Sequence, residues 1–432
     1  MRHAPAQQID LFSGEVERTN DATASTFSDN LYLPIHRWFR YSAGFSALWV
    51  RELIERQQGK GGTTVLDPFA GCGTVLLEGE WCDAEAVGVE AHPFVARVAH
   101  AKLHWREDAR SFRGYALRIL GQAKRAGGTT EGYPNLIQKC FPPEKLQRLD
   151  ALRRAWEAIA DDSPLSELAW LTLGSILRDC SPVGTAQWQY VLPSKSKAKT
   201  VDPYDAFQAK VHLMSTDMAT RQRQVHGPQA RLYHEDARDC ASIPDGWASL
   251  IVTSPPYANN YDYADATRLE MTFWRQIDGW GDLQNAVRKY LVRSCTQHVA
   301  MMTSKTAELL QAPLLGPIRE EITDTCRRLQ IEREKHGGKK PYHTMIAAYF
   351  GDMARTWIAL RRVAAEGALV CFVIGDSAPY GIYVPVDRWL GELAIAAGFD
   401  SYRFEKTRDR NVKWRNRKHR VPLHEGRLWI EG

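Results

Sequence analysis

The sequence has few features of secreted, zinc-binding or membrane proteins. Its eight cysteines are scattered without a CxxC pair or a Cys/His ligand spacing, which argues against a zinc finger and a disulfide framework. No stretch approaches the roughly 20 apolar residues that span a bilayer, and the N-terminal MRHAPAQQIDLFSG lacks the apolar centre of a signal peptide. We therefore expect a cytoplasmic protein without a bound metal ion, neither exported nor embedded in a membrane.

The composition has no extreme either. With 432 residues, of which 44% are hydrophobic and 25% charged, the chain resembles an ordinary globular protein, and disorder throughout is excluded. This length allows two or three domains of about 100 to 200 residues, or one domain enlarged by insertions. No internal repeat is present. The net charge of +5 permits a polyanionic partner without requiring one.

The two ends of the chain differ in character. Residues 1–26 are polar and without periodicity, so we expect a flexible tail. Residues 402–420 form a basic segment in which lysine and arginine alternate with Tyr402, Phe404 and Trp414. This mixture suits contacts with phosphates and stacking on bases, and a solvated, cationic strand edge is the alternative interpretation.

The hydrophobic pattern predicts a doubly wound α/β fold. Strands are predicted at 63–67, 85–90, 248–254 and 367–375. A glycine-containing turn and a helix from about Thr74 lie between the first two strands and complete a β-α-β unit. Repeated alternation of this kind predicts a mostly parallel sheet with helices on both faces.

Two segments interrupt the predicted sheet. Residues 106–228 have helical spacing and predict an inserted helical subdomain, although PSKSKAKTVDPYD near its end has no clear period and predicts a loop. Residues 259–342 predict an irregular insertion, with a mobile loop at EREKHGGKKPYH. The sheet domain would then be formed in two parts, 27–105 and 229–432.

DPFAGCGT, residues 67–74, is the first chemical feature, because it lies where a buried strand turns into a helix. Gly71 and Gly73 let backbone and ligand approach closely. Phosphate binding is the weaker hypothesis, since Leu76 replaces the third glycine of GxGxxG and no GK[ST] follows. Asp67 can instead receive an ammonium group directly or through water, which favours a cationic, amino-acid-like ligand. The alternative is a tight βα turn with a capping aspartate.

Two more acidic residues suit an adenosine without phosphates. Glu90 ends the second strand, where acidic residues of nucleotide folds accept both ribose hydroxyls. Asp236, before the strand at 248–254, can bond an adenine amino group. The alternatives are a solvated glutamate at 90 and a helix N-cap at 236.

Ser254-Pro255-Pro256-Tyr257 follows a buried strand, at the edge where open parallel sheets bind ligands. Acceptors that hold the two hydrogens of an aryl amine favour a tetrahedral nitrogen whose lone pair can face an electrophilic methyl group. The Ser254 hydroxyl and the Pro255 carbonyl can supply them, while Tyr257 offers a face for stacking a base. Such a base must leave its duplex. The alternative is an ordinary loop.

Together, DPFAGCGT and SPPY resemble the motif pair of the DNA amino-methyltransferases, a DPF-G-G turn for the cofactor and (D/N/S)PP(Y/F) for the target amine. The resemblance covers about 31–103 and 231–399, including VIGDS at 373–377. It implies a Rossmann-like class I methyltransferase fold, with the cofactor bound in 27–105 and the target amine in 229–432. The residues implied for S-adenosylmethionine are Asp67, Phe69, Gly71, Gly73, Glu90 and Asp236, together with Tyr41 and Phe45 from a segment similar to the family's cofactor cover.

The resemblance also implies the substrate. Serine at position 254 is the preference of N4-cytosine members, so we expect methylation of cytosine N4 at a specific sequence in double-stranded DNA, on a flipped base and without a covalent intermediate. Such an enzyme would belong to a restriction-modification or an epigenetic system, and the existence of a cognate restriction enzyme does not follow from the sequence. Adenine N6 is the main alternative target, because adenine members more often have Asp or Asn at 254. Cytosine C5 is a poor alternative, since no cysteine follows a proline.

Proteins with different substrates can share this fold. An RNA or protein-glutamine methyltransferase could carry a PPY motif, and a non-catalytic nucleic-acid-binding protein could use the same scaffold. The chain also departs from the family at Cys72, where serine is commoner, and in its long insertion before Asp236. The region that recognises the DNA sequence could therefore be the helical insertion, residues 259–342 or the basic segment. Oligomeric state does not follow from the sequence.

Overall fold

A seven-stranded sheet forms the centre of the molecule in the computed structural model, which describes residues 27–41, 44–58, 62–186, 190–197, 199–258, 262–410 and 421–432. The predicted tail at 1–26 lies outside these residues, as does the part of the basic segment from 411 to 420 that contains Trp414.

The strands follow one another along the chain as β1 (Thr64–Asp67), β2 (Glu85–Val89), β3 (Val183–Thr185), β4 (Val191–Ser196), β5 (Arg231–Tyr233), β6 (Ala248–Thr253), β7 (Ala364–Gly375), β8 (Ser401–Arg410) and β9 (Leu423–Glu431). The order in the large sheet is β5-β2-β1-β6-β7-β9-β8, and β3 pairs with β4 separately. Strands β5, β2, β1, β6 and β7 pair in parallel, whereas β9 is antiparallel to both of its neighbours. The predicted fold class, a mostly parallel sheet of the class I methyltransferase type, is confirmed.

Fifteen α-helices are present in the described residues. They are α1 (Ala47–Gln58), α2 (Thr74–Trp81), α3 (Pro93–Leu103), α4 (Ala109–Ala126), α5 (Asn135–Cys140), α6 (Pro143–Glu157), α7 (Pro164–Cys180), α8 (Pro203–Arg221), α9 (Tyr263–Ala266), α10 (Arg268–Phe273), α11 (Leu283–Ala286), α12 (Thr306–Leu310), α13 (Arg319–Lys335), α14 (Tyr342–Val363) and α15 (Val386–Ala396). Within the described ranges, no helix combines the length and the apolar character needed to cross a membrane.

Alternate side chains of the central strands enter different apolar layers. Val65 of β1 packs in one cluster with α1 and α2, whereas its neighbour Leu66 packs in another with α14 and α15. The same alternation occurs in β6, where Leu250 joins the first cluster and Ile251 the second. Both faces of these strands are therefore buried, which explains why they read as continuous apolar runs in the sequence.

Five helices, α4 to α8, occupy most of the predicted helical insertion at 106–228. Their apolar side chains share one buried cluster with α3 and α10, for example Phe112 of α4 with Phe94 and Phe273. The insertion thus packs against both parts of the sheet domain, through α3 of the first part and α10 of the second. Its exact limits as a subdomain stay a prediction.

The loop predicted at 193–205 was wrong at both of its ends. Residues up to Ser196 belong to β4, whose outer side chains are exposed, so no apolar alternation marks the strand. Backbone pairing with β3 forms this hairpin. Helix α8 then begins at Pro203, and the Asp202 carboxylate caps it by accepting the backbone N–H groups of Tyr204 and Asp205.

The irregular insertion predicted at 259–342 was wrong as well, because this region contains α9 to α13. Helix α13 buries only a narrow stripe, with Ile322, Cys326 and Leu329 as its apolar members. Highly charged residues fill the rest of the helix and hide this spacing in the sequence. Gly337 and Gly338, both with positive φ, form a short turn between α13 and α14.

Asp217 of α8 holds the segment that precedes α1. Its buried carboxylate accepts the backbone N–H of Ile35 at 3.2 Å, the indole N–H of Trp38 at 3.0 Å and two N–H groups of Arg37 at 3.0 and 2.5 Å. Ile35 has φ +67°, a conformation that strains a β-branched residue. We infer that the carboxylate stabilises this strained backbone and so links the helical insertion to the start of the sheet domain.

Replacement of Asp217 by asparagine should destabilise the protein strongly. Asp217→Asn leaves one acceptor oxygen for four N–H donors and removes the charge beside the partly exposed Arg37 guanidinium, so we expect the free energy of unfolding to fall by about 2 kcal/mol. Asp205→Asn, at an exposed position of the same helix, should cost less than about 1 kcal/mol. Urea unfolding measures both values, and equal losses in the two variants would contradict the anchoring role.

Candidate cofactor and target-amine site

The turn after β1 has the backbone that its glycines predicted. Gly71 and Gly73 have φ values of +52° and +82°, which lie in the left-handed region that favours glycine. The N–H of Gly73 donates to the Ala70 carbonyl at 2.8 Å, and α2 starts at the next residue. A Cβ at Gly71 would lie 3.6 Å from the ring of Tyr41. The turn therefore passes close beside an aromatic side chain from the segment before α1.

Asp67 joins the turn to the end of β6. Its Oδ1 accepts the N–H of Phe69 at 3.0 Å and the hydroxyl of Thr253 at 2.6 Å. The carboxyl is 1% exposed, and this burial raises its pKa to about 7. Thr253 directly precedes SPPY, so a single carboxylate ties the two motifs together.

Glu90 supports the same turn from β2. Its Oε2 accepts the N–H of Gly71 and its Oε1 accepts the N–H of His92, both at 2.8 Å. Burial raises the pKa of this carboxyl to about 7 as well. Each carboxylate oxygen has a second lone pair and can accept another hydrogen bond. The contact of Glu90 with ribose hydroxyls stays a prediction.

A single cavity receives side chains from three separate parts of the chain. The turn contributes Phe69 and Gly71, the segment before α1 contributes Tyr41 and Phe45, and the end of β6 contributes Ser254. The other lining residues are Asn30, Leu31, His36, Phe39, Gly44, Ala70, Cys72, Thr74 and Lys102. The glycine turn and the SPPY strand end thus open into the same space, as methyl transfer between their ligands would require.

Two cavity residues did not stand out in the sequence. Lys102 is buried in α3, its Nζ donates to the His36 carbonyl at 3.1 Å, and burial lowers its pKa. The Asn30 amide donates to the Phe45 carbonyl at 3.0 Å and accepts the N–H of Ala47 at 2.9 Å. These two bonds fix the residues just before α1, which include Phe45. The contacts of Lys102 and Asn30 join residues that are distant in sequence, and no local motif predicts them.

Ser254 presents its hydroxyl as an acceptor. The hydroxyl donates its hydrogen to the Val373 carbonyl of β7 at 3.2 Å. Ser254 also shares a side-chain hydrogen bond with Tyr257, so one oxygen lone pair is left for a further donor. Pro255 is buried, and Pro256 and Tyr257 are partly exposed. The tetrad therefore lies at the carboxyl edge between β6 and β7, and Ser254 is its member that lines the cavity.

Asp236 follows β5, but it does not line this cavity. Both of its oxygens accept the Nε–H of Arg238 at 2.9 Å, and Oδ1 also accepts the backbone N–H of Arg238. The guanidinium also pairs with Asp352 at 3.1 Å. A contact between Asp236 and an adenine amino group would have to share or replace this ion pair, and it stays a prediction.

Two groups of potential metal ligands occur in the described part of the chain: Asp262 with Cys295 and His298, and Asp376 with Asp387 and His424. Arg288 donates two hydrogen bonds to Asp262 at 2.9 and 2.6 Å, and His424 Nδ1 lies 2.7 Å from Asp376. These carboxylates already have protein partners. We assign no ion to either group, and the expectation of a metal-free enzyme stays a prediction.

The chain resembles known methyltransferases over most of its length. It is 24% identical to the Type II methyltransferases M.AvaI of Nostoc sp. (strain PCC 7120) and of Anabaena variabilis, over 441 residues that cover 91% of this chain and 88% of each relative. It is 25% identical to the Type II methyltransferase M.BsoBI of Geobacillus stearothermophilus, over 435 residues that cover 89% and 82%. The chain is related to the DNA methyltransferases. No protein-family model matches it.

The similarity to these methyltransferases extends across the helical insertion, which the two motifs alone did not cover. The residues around the cavity also fit S-adenosylmethionine chemically. Lys102 and Tyr41 line the cavity and supply a buried amine and an aromatic face that can attract a sulfonium cation. Asp67 and Glu90 are not among the lining residues, but both bind backbone N–H groups of the turn and supply anionic groups next to it. A ligand with ammonium, carboxylate and sulfonium groups matches this set.

Asp67 should make the stability of the cofactor-free protein depend on pH. The folded protein binds the Asp67 proton more tightly than the unfolded chain, because the pKa rises from 3.8 to about 7 on folding. Its contribution therefore lowers the free energy of unfolding as pH increases through this window. Asp67→Asn retains an acceptor for Phe69 and Thr253 but removes the titration. The difference in the free energy of unfolding between the variant and the wild type should therefore rise, in favour of the variant, by up to about 4 kcal/mol from pH 4 to pH 8.

Urea unfolding of both proteins across this pH range tests the effect, with Asp400→Asn as an exposed control. The stability difference between Asp400→Asn and the wild type should stay constant with pH. A pH-independent difference for Asp67→Asn would show that its carboxyl is not the buried, titrating group described here.

Proposed function

We propose that this protein transfers a methyl group from S-adenosylmethionine to the N4 amine of cytosine in double-stranded DNA. The observation that carries the proposal is the single cavity bounded by the glycine turn and Ser254. Similarity to Type II methyltransferases supports a DNA methyltransferase that uses this cofactor. It also supports a place in a restriction-modification system, with a restriction enzyme as the functional counterpart.

S-adenosylmethionine, when bound, supplies an electrophilic methyl group. On the protein side, the left-handed turn at Gly71 lets a ligand reach the backbone, and Tyr41 packs over the same turn. Asp67 and Glu90 would hold the ammonium group and the ribose hydroxyls, since both carboxyls lie at the turn and ionise near neutral pH. A cationic ligand favours their charged forms.

Target selection follows from the acceptors at the end of β6. The Ser254 oxygen and the Pro255 carbonyl would accept the two hydrogens of an exocyclic amine and keep its lone pair free for the methyl group. In the structure the Ser254 hydroxyl donates to the Val373 carbonyl, which leaves its oxygen to accept from the amine. The amine nitrogen would itself attack the methyl group as the bond from the sulfonium sulfur to the methyl carbon breaks, and the amine would then lose one proton. No nucleophilic cysteine is therefore needed, and all eight cysteines are buried.

Serine at position 254 favours cytosine over adenine as the target, by resemblance to N4-cytosine methyltransferases. Adenine N6 is the competing outcome, because the acceptor chemistry suits either amine. The base must leave its duplex to reach the edge of the sheet, so we propose that the protein acts on a flipped base.

The proposal predicts a specific product. Purified protein incubated with unmethylated duplex DNA and cofactor should yield N4-methylcytosine, detected by nucleoside mass spectrometry after complete digestion. Ser254→Ala removes one acceptor and should lower kcat about 100-fold. Ser401→Ala, at an exposed site on β8, should retain the wild-type rate.

Each contrary outcome has a distinct meaning. N6-methyladenine alone would replace cytosine by adenine as the target, and a preference for RNA over duplex DNA would change the substrate polymer. Full activity of Ser254→Ala would show that the Ser254 hydroxyl is not needed as an acceptor for the target amine. A folded protein with no methylation of any nucleic acid would support the non-catalytic alternative.

A further inference from the structure

Arg410, the last described residue of β8, reaches back to the target-amine motif. Its guanidinium carbon lies 5.2 Å from the centre of the Tyr257 ring, within the range of a cation–π contact. Its Nη1 donates to the carbonyl of Asp376 at 2.7 Å. The side chain is 17% exposed, so Arg410 is not a solvated charge on the strand edge.

A further contact of Arg410 comes from β9. Glu425 lies 4.0 Å from Arg410 Nε and pairs more closely with Arg408, at 2.7 Å. The guanidinium is therefore placed by three partners that belong to different elements: a carbonyl after β7, a carboxylate of β9 and the ring of Tyr257. This arrangement fixes its position relative to the SPPY motif.

Gly375 provides the space that Arg410 occupies. A Cβ at position 375 would lie 2.6 Å from Arg410 Nη1 and 3.1 Å from its Cδ and Cζ. These atoms belong to a long side chain that can move away, so an alanine at 375 would displace the guanidinium rather than the backbone. The position of the Arg410 guanidinium therefore depends on the absence of a side chain at Gly375.

We propose that Arg410 is a positioning residue that holds the Tyr257 ring for the target base. This inference rests on the proposed function, because Tyr257 matters as a stacking surface only if a base enters the site. Arg410 acts through the tyrosine and takes no part in methyl transfer itself. Loss of the guanidinium should free the ring and weaken capture of the base, with little effect on the cofactor.

A contact between Arg410 and a DNA phosphate is the competing explanation for any loss of activity. Phosphate binding depends on the arginine charge and weakens binding to all sequences alike. Positioning of Tyr257 depends on where the guanidinium lies. Gly375→Ala separates the two, because it keeps the charge and moves it off the ring.

The experiment compares Arg410→Ala, Gly375→Ala and their double variant with the wild type. Arg403→Ala is the matched control, since Arg403 is an exposed arginine of the same strand that lies over a different ring, Trp429, at 5.1 Å. Three quantities are measured: kcat/KM on duplex DNA, the fluorescence of 2-aminopurine placed next to the target cytosine, and the 19F NMR resonance of 3-fluorotyrosine introduced at position 257.

We expect Arg410→Ala and Gly375→Ala each to lower kcat/KM about tenfold, to reduce the 2-aminopurine signal and to shift the 19F resonance. The double variant should be no worse than Arg410→Ala, because both changes remove one contact. Arg403→Ala should stay within about twofold of the wild type, and the affinity for S-adenosylmethionine should be unchanged in all variants.

Wild-type behaviour of Gly375→Ala together with a uniform, salt-dependent loss of DNA binding in Arg410→Ala would overturn the proposal in favour of a phosphate contact. An unchanged 19F resonance in both variants would overturn it directly. The proposed function fails in a different way, through a wild-type protein that methylates no DNA, and the 19F shift would still report the contact with the ring.

Discussion

The hydrogen bond from Thr253 to Asp67 is the interaction on which the site depends. It joins the carboxyl ends of two adjacent parallel strands at 2.6 Å, and it is buried. Because side chains after neighbouring parallel strands emerge at one edge of a sheet, the turn after β1 and the tetrad after β6 must face a common space. Asp67 also accepts the Phe69 N–H, so the first residues of the turn take their place from the same carboxylate.

The remaining walls of the cavity come from segments that are distant in sequence. Asn30 fixes the chain just before α1, and Asp217 of the helical insertion holds the strained backbone at Ile35. The insertion is therefore linked to the segment before α1, which lines the cavity with His36 and Phe39. On the opposite side, the antiparallel pair β8 and β9 brings Arg410 to Tyr257. The site at the ends of β1 and β6 is thus completed by the segment before α1 on one side and by the β8–β9 pair on the other.

Local chemistry explains which parts the sequence predicted. The apolar runs of the central strands and the start of α2 at Thr74 follow from short segments, and the structure confirms them. The left-handed backbone at Gly71 and Gly73 is consistent with the glycine turn interpreted from the sequence. Polar β4 and charged α13 escaped prediction because tertiary pairing, rather than a periodic apolar pattern, stabilises them. Thr253, Lys102 and Arg410 contribute to the site through contacts with residues far away in the sequence. A single sequence contains no signal that predicts such contacts.

One cavity for both cofactor and target base is tested most directly by photo-crosslinking with S-adenosylmethionine labelled in its methyl group. After irradiation, digestion and mass spectrometry, we expect label in the peptide that contains residues 69–74 and in the peptide that contains residues 254–257, because both line the same space. Excess unlabelled cofactor should suppress the labelling of both peptides equally. Label confined to other parts of the chain, such as the helices between 109 and 221, would contradict a shared site.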